Sequence, residues 1–268
     1  MSAFTHTTRF RVQPPSMIQV KAEDRLFVLT GAGTSAESGL PTFRGLNGIW
    51  RTYRVEEVAS PVAWARDPRL VWEFYSERRR RYRTVQPNRG HYALARLEEQ
   101  LGDRFFLCTQ NVDRLHEMAA SRRVLHMHGK IFQSRCERDC GRPPFDDEWT
   151  LENGAEIPLC PGGGKVRPHI CWFGEMPFEM ERIFSALQEC TIFLAVGTSG
   201  VVEPAASFVR YARAASKNVR TCYVGPEEPA NRAFFDEVFL GPSGELLPKL
   251  FVVEKSSTDL HGIRTDFP

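Results

Sequence analysis

The fold is decided by residues 31–45, GAGTSAESGLPTFRG, which directly follow the apolar run LFVLT at residues 26–30. A short apolar run that ends at a glycine predicts a buried strand. Gly31, Gly33 and Ala36 then fit the pattern G-x-G-x-x-G/A. In that pattern the first glycine permits a tight turn, the second lets the backbone approach a pyrophosphate, and the third small residue packs the helix against the strand. The backbone amides at the start of the helix would then bind phosphate.

The glycine pattern by itself leaves two interpretations open, because similar strings occur at ordinary strand-to-helix turns. The acidic residue that a dinucleotide-binding fold carries about 20 residues further on has no clear counterpart in this chain. The continuation of the stretch through Pro41, Phe43 and Arg44 favours the ligand-binding interpretation.

Composition limits the class of protein. The chain has 268 residues, of which 42% are hydrophobic and 25% charged, as is typical of a soluble globular protein. The net charge of +2 gives no indication of nucleic-acid or membrane binding, and we expect neither partner. Seven cysteines, an odd number, argue against a secreted disulfide framework and predict a reducing, cytoplasmic location. Residues 1–24 have no apolar signal core and are predicted to be a loose leader, and residues 256–268 a tail.

Three later segments repeat the succession of an apolar run and a polar turn, at residues 104–109, 191–196 and 219–224. Strands that alternate with helices predict an α/β fold, here a Rossmann-like parallel sheet with helices on both faces. Ligands of such sheets bind beyond the carboxyl ends of the strands, where the polar turns fall. The helical patterns between the strands lie at about residues 91–101, 180–189 and 204–215.

Two insertions interrupt the predicted sheet domain, which comprises about residues 25–45, 87–129 and 168–255. Residues 46–86 are helical in pattern and rich in aromatic and basic side chains, and residues 130–167 hold three cysteines among many prolines and glycines. We predict that the two insertions form one small module, part helical and part cysteine-containing. The cleft between module and sheet is the predicted active site.

Five motifs follow one another along the chain: the stretch from 31 to 44, TQNVDRLH at 109–116, HMHG at 126–129, WFGE at 172–175 and GTS at 197–199. Their order and spacing resemble those of the sirtuins, which are NAD-dependent protein-lysine deacylases. The resemblance covers roughly residues 26–250. It implies that an acyl-lysine oxygen attacks C1′ of the nicotinamide ribose of NAD, that nicotinamide leaves, and that the acyl group ends on ADP-ribose.

The resemblance also implies roles for individual residues. His128 matches the catalytic base, which removes a ribose hydroxyl proton, and Asn111 and Asp113 match residues at the nicotinamide end. An imidazole suits a base that works near neutral pH, and water exclusion by a loop carrying Phe43 suits an oxocarbenium-like sugar. The residues implied to contact NAD are Gly31, Ala32, Gly33, Ser35, Ala36, Phe43, Arg44, Trp50, Gln110, Asn111, Asp113, His128, Gly197, Thr198, Ser199, Gly225, Glu227 and Ser243.

Taken residue by residue, plainer interpretations remain. His128 could be a structural histidine, or could share a metal ion with His126. Asp113 could cap the helix that begins near Arg114, and Asn111 could be a turn residue.

Tyr75 and Arg78 lie three residues apart in the helical pattern VWEFYSER at residues 71–78 and therefore share a face. A phenol and a guanidinium together can bind a carboxylate. The pair resembles the signature of sirtuins that remove succinyl, malonyl or glutaryl groups. The alternative is a solvated basic face with Tyr75 in the core, because four further arginines follow within residues 79–83.

Residues 169–175, HICWFGE, match the sirtuin segment that pairs its backbone with the substrate, which assigns Trp172, Phe173 and Gly174 to substrate binding. The alternative is a sheet strand followed by a turn. Acylated-lysine proteins or peptides are thus the expected partners of a monomeric enzyme.

Two positions depart from the sirtuin pattern. Cys136, Cys140 and Cys160 lie where the family has a structural zinc bound by four cysteines, but no cysteine follows Cys160 within five residues. The cluster either binds zinc with another fourth ligand or has lost its metal. After the last predicted strand, Gly225 replaces the family's asparagine, while Glu227 keeps the acid. We therefore expect NAD to bind without the side-chain contact that the asparagine would make.

Two other functions compete with deacylation. A glycohydrolase or mono-ADP-ribosyltransferase would use the same C1′ chemistry without an acyl-lysine. A non-catalytic module would retain NAD or ADP-ribose as a sensed ligand, an interpretation that the incomplete cysteine set and Gly225 favour.

Overall fold

The computed structural model describes residues 17–42 and 55–254. Phe43, Arg44 and Trp50, which the sequence assigned to the cofactor loop, lie outside the described residues. The strands, in chain order, are β1 (Ile18–Val20), β2 (Leu26–Thr30), β3 (Phe105–Thr109), β4 (Val124–His126), β5 (Gly129–Cys136), β6 (Phe145–Asp146), β7 (Val166–Ile170), β8 (Ile192–Val196), β9 (Arg220–Gly225), β10 (Glu237–Leu240) and β11 (Phe251–Val253).

The helices lie between these strands, as the alternating pattern predicts. They are α1 (Ala32–Ala36), α2 (Val55–Val58), α3 (Pro61–Arg66), α4 (Pro68–Tyr82), α5 (Arg89–Leu101), α6 (Leu115–Met118), α7 (Met180–Glu189), α8 (Phe208–Ala215) and α9 (Ser243–Leu250). None of the helices in the described part of the chain has the length and apolar composition needed to cross a membrane.

Six strands form a parallel sheet in the order β10–β9–β8–β2–β3–β4. The predicted Rossmann-like sheet and its four predicted strands, β2, β3, β8 and β9, are confirmed. The chain runs outward from β2 in one direction through β3 and in the other through β8. The strand order thus reverses between β2 and β8, and the carboxyl edge of the sheet at such a reversal is the position at which these folds bind ligands.

Both faces of the sheet are buried. All five residues of β2 are buried, and its side chains alternate between two cores. Leu26 and Val28 pack against residues of α5 and α9, whereas Phe27 and Leu29 pack against residues of α7 and α8. This two-sided burial explains why β2 is an uninterrupted apolar run rather than an alternating one.

The two insertions form one module, as predicted. Helices α2–α4 come from the first insertion, and the antiparallel sheet β6–β5–β7 is built largely from the second. They share a core in which the Trp72 indole donates a hydrogen bond to the Val166 carbonyl (2.9 Å). Arg79 is fully buried and joins the insertions, because its guanidinium donates to the carbonyls of Ile131 (2.7 Å) and Trp149 (2.6 Å).

The N-terminal segment differs from its prediction. Within the leader expected over residues 1–24, Ile18 and Val20 are fully buried, and β1 pairs in parallel with β11. The prediction of a loose segment is therefore wrong for residues 18–20, since the apolar side chains at alternate positions add a short strand to the fold.

Candidate active site

A cavity of about 810 Å³ lies between the carboxyl edge of the sheet and the module. It receives residues from the turns after β2, β3 and β8, from α4 and from the segment after β7. Of the predicted site residues, those that line the cavity are Gly31, Ala32, Gly33, Tyr75, Arg78, Gln110, Asn111, His128, Trp172, Phe173, Gly174, Gly197, Thr198, Ser199 and Glu227.

The glycines after β2 allow two turns to meet backbone to backbone. The Gly33 amide donates to the Gly197 carbonyl (2.9 Å), and a Cβ atom on Gly31 or Gly33 would lie 2.8 Å from that oxygen. A side chain at either position would therefore push the turn after β2 away from the turn after β8. Ala36 is exposed, so the prediction that it packs the helix against the strand is wrong; Thr34 and Ser35 are the buried residues of α1.

Asn111 and Asp113 belong to one buried network with Ser35. The Asn111 amide donates to the Gly31 carbonyl (3.0 Å) and to Ser35 Oγ (3.1 Å). Ser35 Oγ in turn donates to Asp113 Oδ2 (3.0 Å), and the Leu115 amide donates to Asp113 Oδ1 (3.0 Å). Burial raises the pKa of Asp113, while the hydrogen bonds from Leu115 and Ser35 lower it. The contact with Leu115 is the one that the helix-capping interpretation of Asp113 predicts. Asp113 holds Ser35 and Asn111 in place from outside the cavity lining.

His128 presents one ring nitrogen to the cavity. Its Nδ1 lies 3.1 Å from the Gln110 carbonyl, which can only accept, so Nδ1 carries the proton and Nε2 of the neutral ring is a proton acceptor. Burial lowers the pKa of His128, and the hydrogen bond to Gln110 partly opposes that shift. The neutral ring therefore predominates at neutral pH, as a general base requires.

His126 does not share a metal ion with His128. Its Nδ1 contacts the Asn111 carbonyl (3.0 Å) and its Nε2 contacts Glu117 Oε1 (2.8 Å). Both ring nitrogens are thus engaged by protein oxygens. The His126 ring thereby holds the backbone of Asn111 in position through the Asn111 carbonyl.

Tyr75 and Arg78 project from α4 into the far end of the cavity and are 4% and 7% exposed. The Trp172 indole donates to the Tyr75 hydroxyl oxygen (3.1 Å), which leaves the phenol proton for another acceptor. Burial raises the pKa of Tyr75 to about 12, against the opposing influence of Arg78. Tyr75 is therefore a neutral donor beside a cation.

Arg78 is held between two aromatic rings of its own helix. Its guanidinium lies 5.3 Å from the ring centre of Phe74 and 5.1 Å from that of Tyr82, and it donates to the Tyr82 hydroxyl. Sequence analysis missed Phe74 and Tyr82. The signal was their spacing, since residues four apart on a helix lie on one face.

Trp172 forms one wall of the cavity and is itself fixed by charged residues. The Arg167 guanidinium stacks 3.2 Å from its ring centre and forms an ion pair with Glu175 (2.7 Å). Residues 172–175 form a turn closed by the Glu175 amide and the Trp172 carbonyl (2.9 Å). The strand-and-turn interpretation of residues 169–175 thus describes this segment.

The backbone amides of residues 171, 172, 173 and 175 are already engaged within the protein. The Cys171 amide donates to the His128 carbonyl (2.9 Å), and the Phe173 amide donates to the Ala59 carbonyl (3.0 Å). The Phe173 side chain remains 49% exposed beside the cavity. A peptide that docks on this segment would therefore use its carbonyls and the exposed ring of Phe173.

The predicted adenosine side is only partly assembled around the cavity. Gly225 does not line it, and a Cβ atom there would lie 2.3 Å from the Tyr223 hydroxyl. That hydroxyl, which sequence analysis missed, donates to the Thr198 carbonyl (3.1 Å). Ser243 is also buried away from the cavity lining, where its hydroxyl donates to Glu37 Oε1 (2.9 Å).

The cysteines predicted to bind metal come together. The Sγ atoms of Cys136, Cys140 and Cys160 lie within 4.8 Å of one another, and those of Cys140 and Cys160 are 3.6 Å apart. Thiolates around zinc at about 2.3 Å are spaced by about 3.8 Å in tetrahedral geometry, so three donors fit the ion. Cys171 and His169 lie elsewhere: the Cys171 thiol is 3.6 Å from the Glu175 carbonyl, and the His169 ring stacks on Phe178 at 4.5 Å.

Comparison with known proteins agrees with this arrangement. The Sir2 family model matches residues 31–204 of the chain. The chain is 47% identical over 227 residues to an NAD-dependent protein deacylase of Caulobacter vibrioides, a match covering 84% of this chain and 94% of that protein. It is 43% identical over 249 residues to an NAD-dependent protein deacylase of Escherichia coli strain K12, covering 92% and 86%.

Solved structures that are similar to this chain are also Sir2 proteins. A complex of a Sir2 homolog with NAD has a TM-score of 0.77 and 38% identity, covering 85% of this chain and 89% of that one. A complex of Sir2 with a p53 peptide and NAD+ has a TM-score of 0.70 and 26% identity, covering 83% and 90%. Since the family model spans more than half of the sequence and the sheet, module and cavity agree with it, this chain belongs to the Sir2 family.

Proposed function

We propose that this protein is an NAD-dependent protein-lysine deacylase that prefers acidic acyl groups, such as succinyl, malonyl or glutaryl, over acetyl. The observation that carries the proposal is that His128 and Asn111 line the same cavity as Tyr75 and Arg78. The names of the Caulobacter and Escherichia coli relatives support NAD-dependent deacylation. The peptide complex among the similar structures supports a peptide substrate. A monomer in a reducing compartment stays a prediction.

The residues after β2 and β8 suit the dinucleotide. The paired glycine turns leave backbone close to the cavity, with Thr198 and Ser199 beside them. Backbone amides and hydroxyls are the groups that bind pyrophosphate and ribose in such folds. When bound, NAD supplies an electrophilic sugar carbon, C1′, to which an acyl oxygen can add as nicotinamide departs.

Asn111 and His128 suit the reacting end. Asn111 is fixed by the Gly31 carbonyl and Ser35, so its position does not depend on the ligand. His128 Nε2 is unprotonated in the neutral ring and can accept a proton from a ribose hydroxyl, which makes that oxygen a nucleophile toward the acyl carbon. The Gln110 carbonyl keeps the ring in the required tautomer.

Tyr75 and Arg78 suit an acidic acyl chain. A carboxylate between them would receive the phenol proton and a charge-assisted hydrogen bond from the guanidinium. The cavity lining also includes the apolar side chains of Phe74, Ile170 and Trp172. An acetyl group offers no carboxylate to this pair of side chains, so the pocket discriminates by charge rather than by size.

The test is incubation of the full chain with NAD and matched acetyl-, succinyl- and glutaryl-lysine peptides, with products identified by mass. We expect free lysine peptide, nicotinamide and O-acyl-ADP-ribose in equal amounts, with the two acidic peptides consumed faster. Nicotinamide release without peptide would instead indicate a glycohydrolase, and ADP-ribosylated protein would indicate a transferase.

A variant of His128 separates the chemical step from NAD binding. His128→Ala should abolish deacylation, while NAD binding and the thermal unfolding temperature remain close to those of the parent protein. Near-parental turnover in this variant would contradict the base assignment. Retained NAD binding with no turnover in the parent protein would support a non-catalytic binding module.

A further inference from the structure

We infer that Cys136, Cys140 and Cys160 form a zinc site with three protein thiolates, whose fourth coordination position is occupied by an exchangeable small ligand from solution. These cysteines belong to the module, do not line the cavity and take no part in the deacylase chemistry proposed above.

The three thiols are held by the folded module. Cys136 ends β5, and Cys136 and Cys160 are buried within the core that also contains Trp72. The Cys160 amide donates to the Gly164 carbonyl and the Gly163 amide to the Cys160 carbonyl, both at 2.7 Å. The turn that carries Cys160 is thus fixed by backbone hydrogen bonds, and the donors are arranged before any ion binds.

The turn after Cys160 supplies no fourth side chain. A Cβ atom on Gly162 would lie 2.7 Å from Cys140 Sγ, and one on Gly164 would lie 2.9 Å from Cys136 Sγ. Side chains at these positions would collide with the donors rather than add to them. Gly163 has φ of +82°, a conformation that side-chain-bearing residues rarely adopt. Glycine at positions 162 and 164 therefore brings bare backbone up to the thiols, and glycine at 163 permits the turn between them.

The neighbouring acid is engaged elsewhere. Glu137 follows Cys136 directly, but its Oε2 accepts from the Trp64 indole (2.8 Å) and its Oε1 from the Lys165 amide (2.8 Å). Within residues 17–42 and 55–254, the cysteine trio is the group of cysteine, histidine and carboxylate side chains placed to hold a metal, and it has no fourth member. Residues 43–54 contain none of these side-chain types.

Three thiolates without a fourth protein ligand determine how zinc would be coordinated here. Structural zinc sites are closed by four protein ligands, whereas three protein ligands leave one position for water or another small molecule. Gly162 and Gly163 are exposed, so solvent reaches the turn beside the thiols. The fourth ligand should therefore exchange freely, and the metal should leave more readily than from a closed site.

The experiment uses the full chain. Native mass spectrometry of the purified protein should show one zinc ion per chain. Cobalt(II) should then replace zinc and give the charge-transfer absorption of three thiolates. Imidazole or 2-mercaptoethanol should shift the visible cobalt bands in a saturable manner, because each can take the open position. Protein without bound zinc, or cobalt bands that neither ligand changes, would overturn the inference.

Two cysteine variants complete the test. Removal of an outer partner of a metal ligand weakens metal binding by about 10- to 100-fold, so Cys140→Ala, which removes a ligand itself, should weaken zinc binding by more than that. Cys190→Ala removes a buried thiol from the large core and should leave zinc content unchanged. Equal zinc retention in both variants would contradict the assignment. The cobalt titration of the parent protein decides the matter even if Cys140→Ala fails to fold.

Discussion

Replacing Arg78 with methionine should remove the preference of the pocket for acidic acyl groups over acetyl. Arg78 is 7% exposed and lines the cavity next to Tyr75. Methionine keeps much of the length of the side chain and its apolar contacts with Phe74 and Tyr82, but it removes the charge. The substitution therefore tests the guanidinium itself rather than the shape of the pocket.

The size of the effect follows from the burial. A hydrogen bond to a charged group contributes about 1.5–3 kcal/mol, and each 1.4 kcal/mol is about tenfold. Loss of Arg78 should thus lower kcat/KM for a succinyl-lysine peptide about 10- to 150-fold. An acetyl-lysine peptide has no carboxylate to lose a partner, so its kcat/KM should change less than about threefold on the same reasoning.

The assay compares kcat/KM for the two peptides in the parent protein, in Arg78→Met and in Arg80→Met. Arg80 lies on the same helix but is exposed, which makes it the matched control for the loss of one positive charge. We expect Arg80→Met to leave the ratio of the two activities unchanged. An equal loss of both activities in Arg78→Met would refute the reasoning and would make Arg78 a supporting residue of the fold.

Three further predictions concern the base, the module and the glycine turn. Because burial lowers the pKa of His128, the neutral base persists below its ordinary pKa of about 6.5, and the acidic fall in the rate of acyl transfer should lie below that pH in a pH–rate profile. Arg79→Met should destabilise the protein by about 3–5 kcal/mol in denaturant unfolding, because it leaves the buried carbonyl acceptors of the module without their hydrogen-bond donor. Arg80→Met, which removes an exposed arginine, should change the free energy of unfolding little. Gly33→Ala should weaken NAD binding in calorimetry, because its Cβ would lie 2.8 Å from the Gly197 carbonyl; unchanged affinity would show that the turns can separate freely.

The sheet could be predicted because its signals are local. β2, β3, β8 and β9 are apolar runs followed by polar turns, and parallel strands place those turns at one edge. β1 gave no comparable signal, since it has three residues and its partner β11 lies more than two hundred positions away. Short strands paired over such distances are stabilised by tertiary contacts that no sequence window contains.

The basic run on α4 also shows that the sequence alone does not predict which individual side chain is buried. Arg79 is 0% exposed while its neighbour Arg80 is exposed, although both belong to a run of four successive arginines at residues 78–81. The helical period places Tyr75, Arg79 and Tyr82 toward the core. The acceptors that make burial of Arg79 tolerable come from the second insertion, so its burial follows from tertiary structure and not from composition.

The glycine that departs from the family pattern can be explained by its neighbour two residues earlier. A Cβ atom on Gly225 would lie 2.3 Å from the Tyr223 hydroxyl, and that hydroxyl donates to the carbonyl of Thr198 beside the cavity. The space that a side chain at 225 would need is thus filled by the phenol, which ties β9 to the turn after β8. We therefore expect the two positions to be coupled.

A double-mutant cycle measures that coupling. Gly225→Asn alone should be destabilising, because the phenol must shift and give up its hydrogen bond to Thr198 to admit the new side chain. In a Tyr223→Val background, where the ring is absent, the same substitution should cost far less, and the interaction free energy from denaturant unfolding should exceed about 1 kcal/mol. Effects of the two substitutions that add within about 0.5 kcal/mol would show that the phenol does not exclude a side chain at 225. The absence of the family's asparagine would then need a cause other than Tyr223.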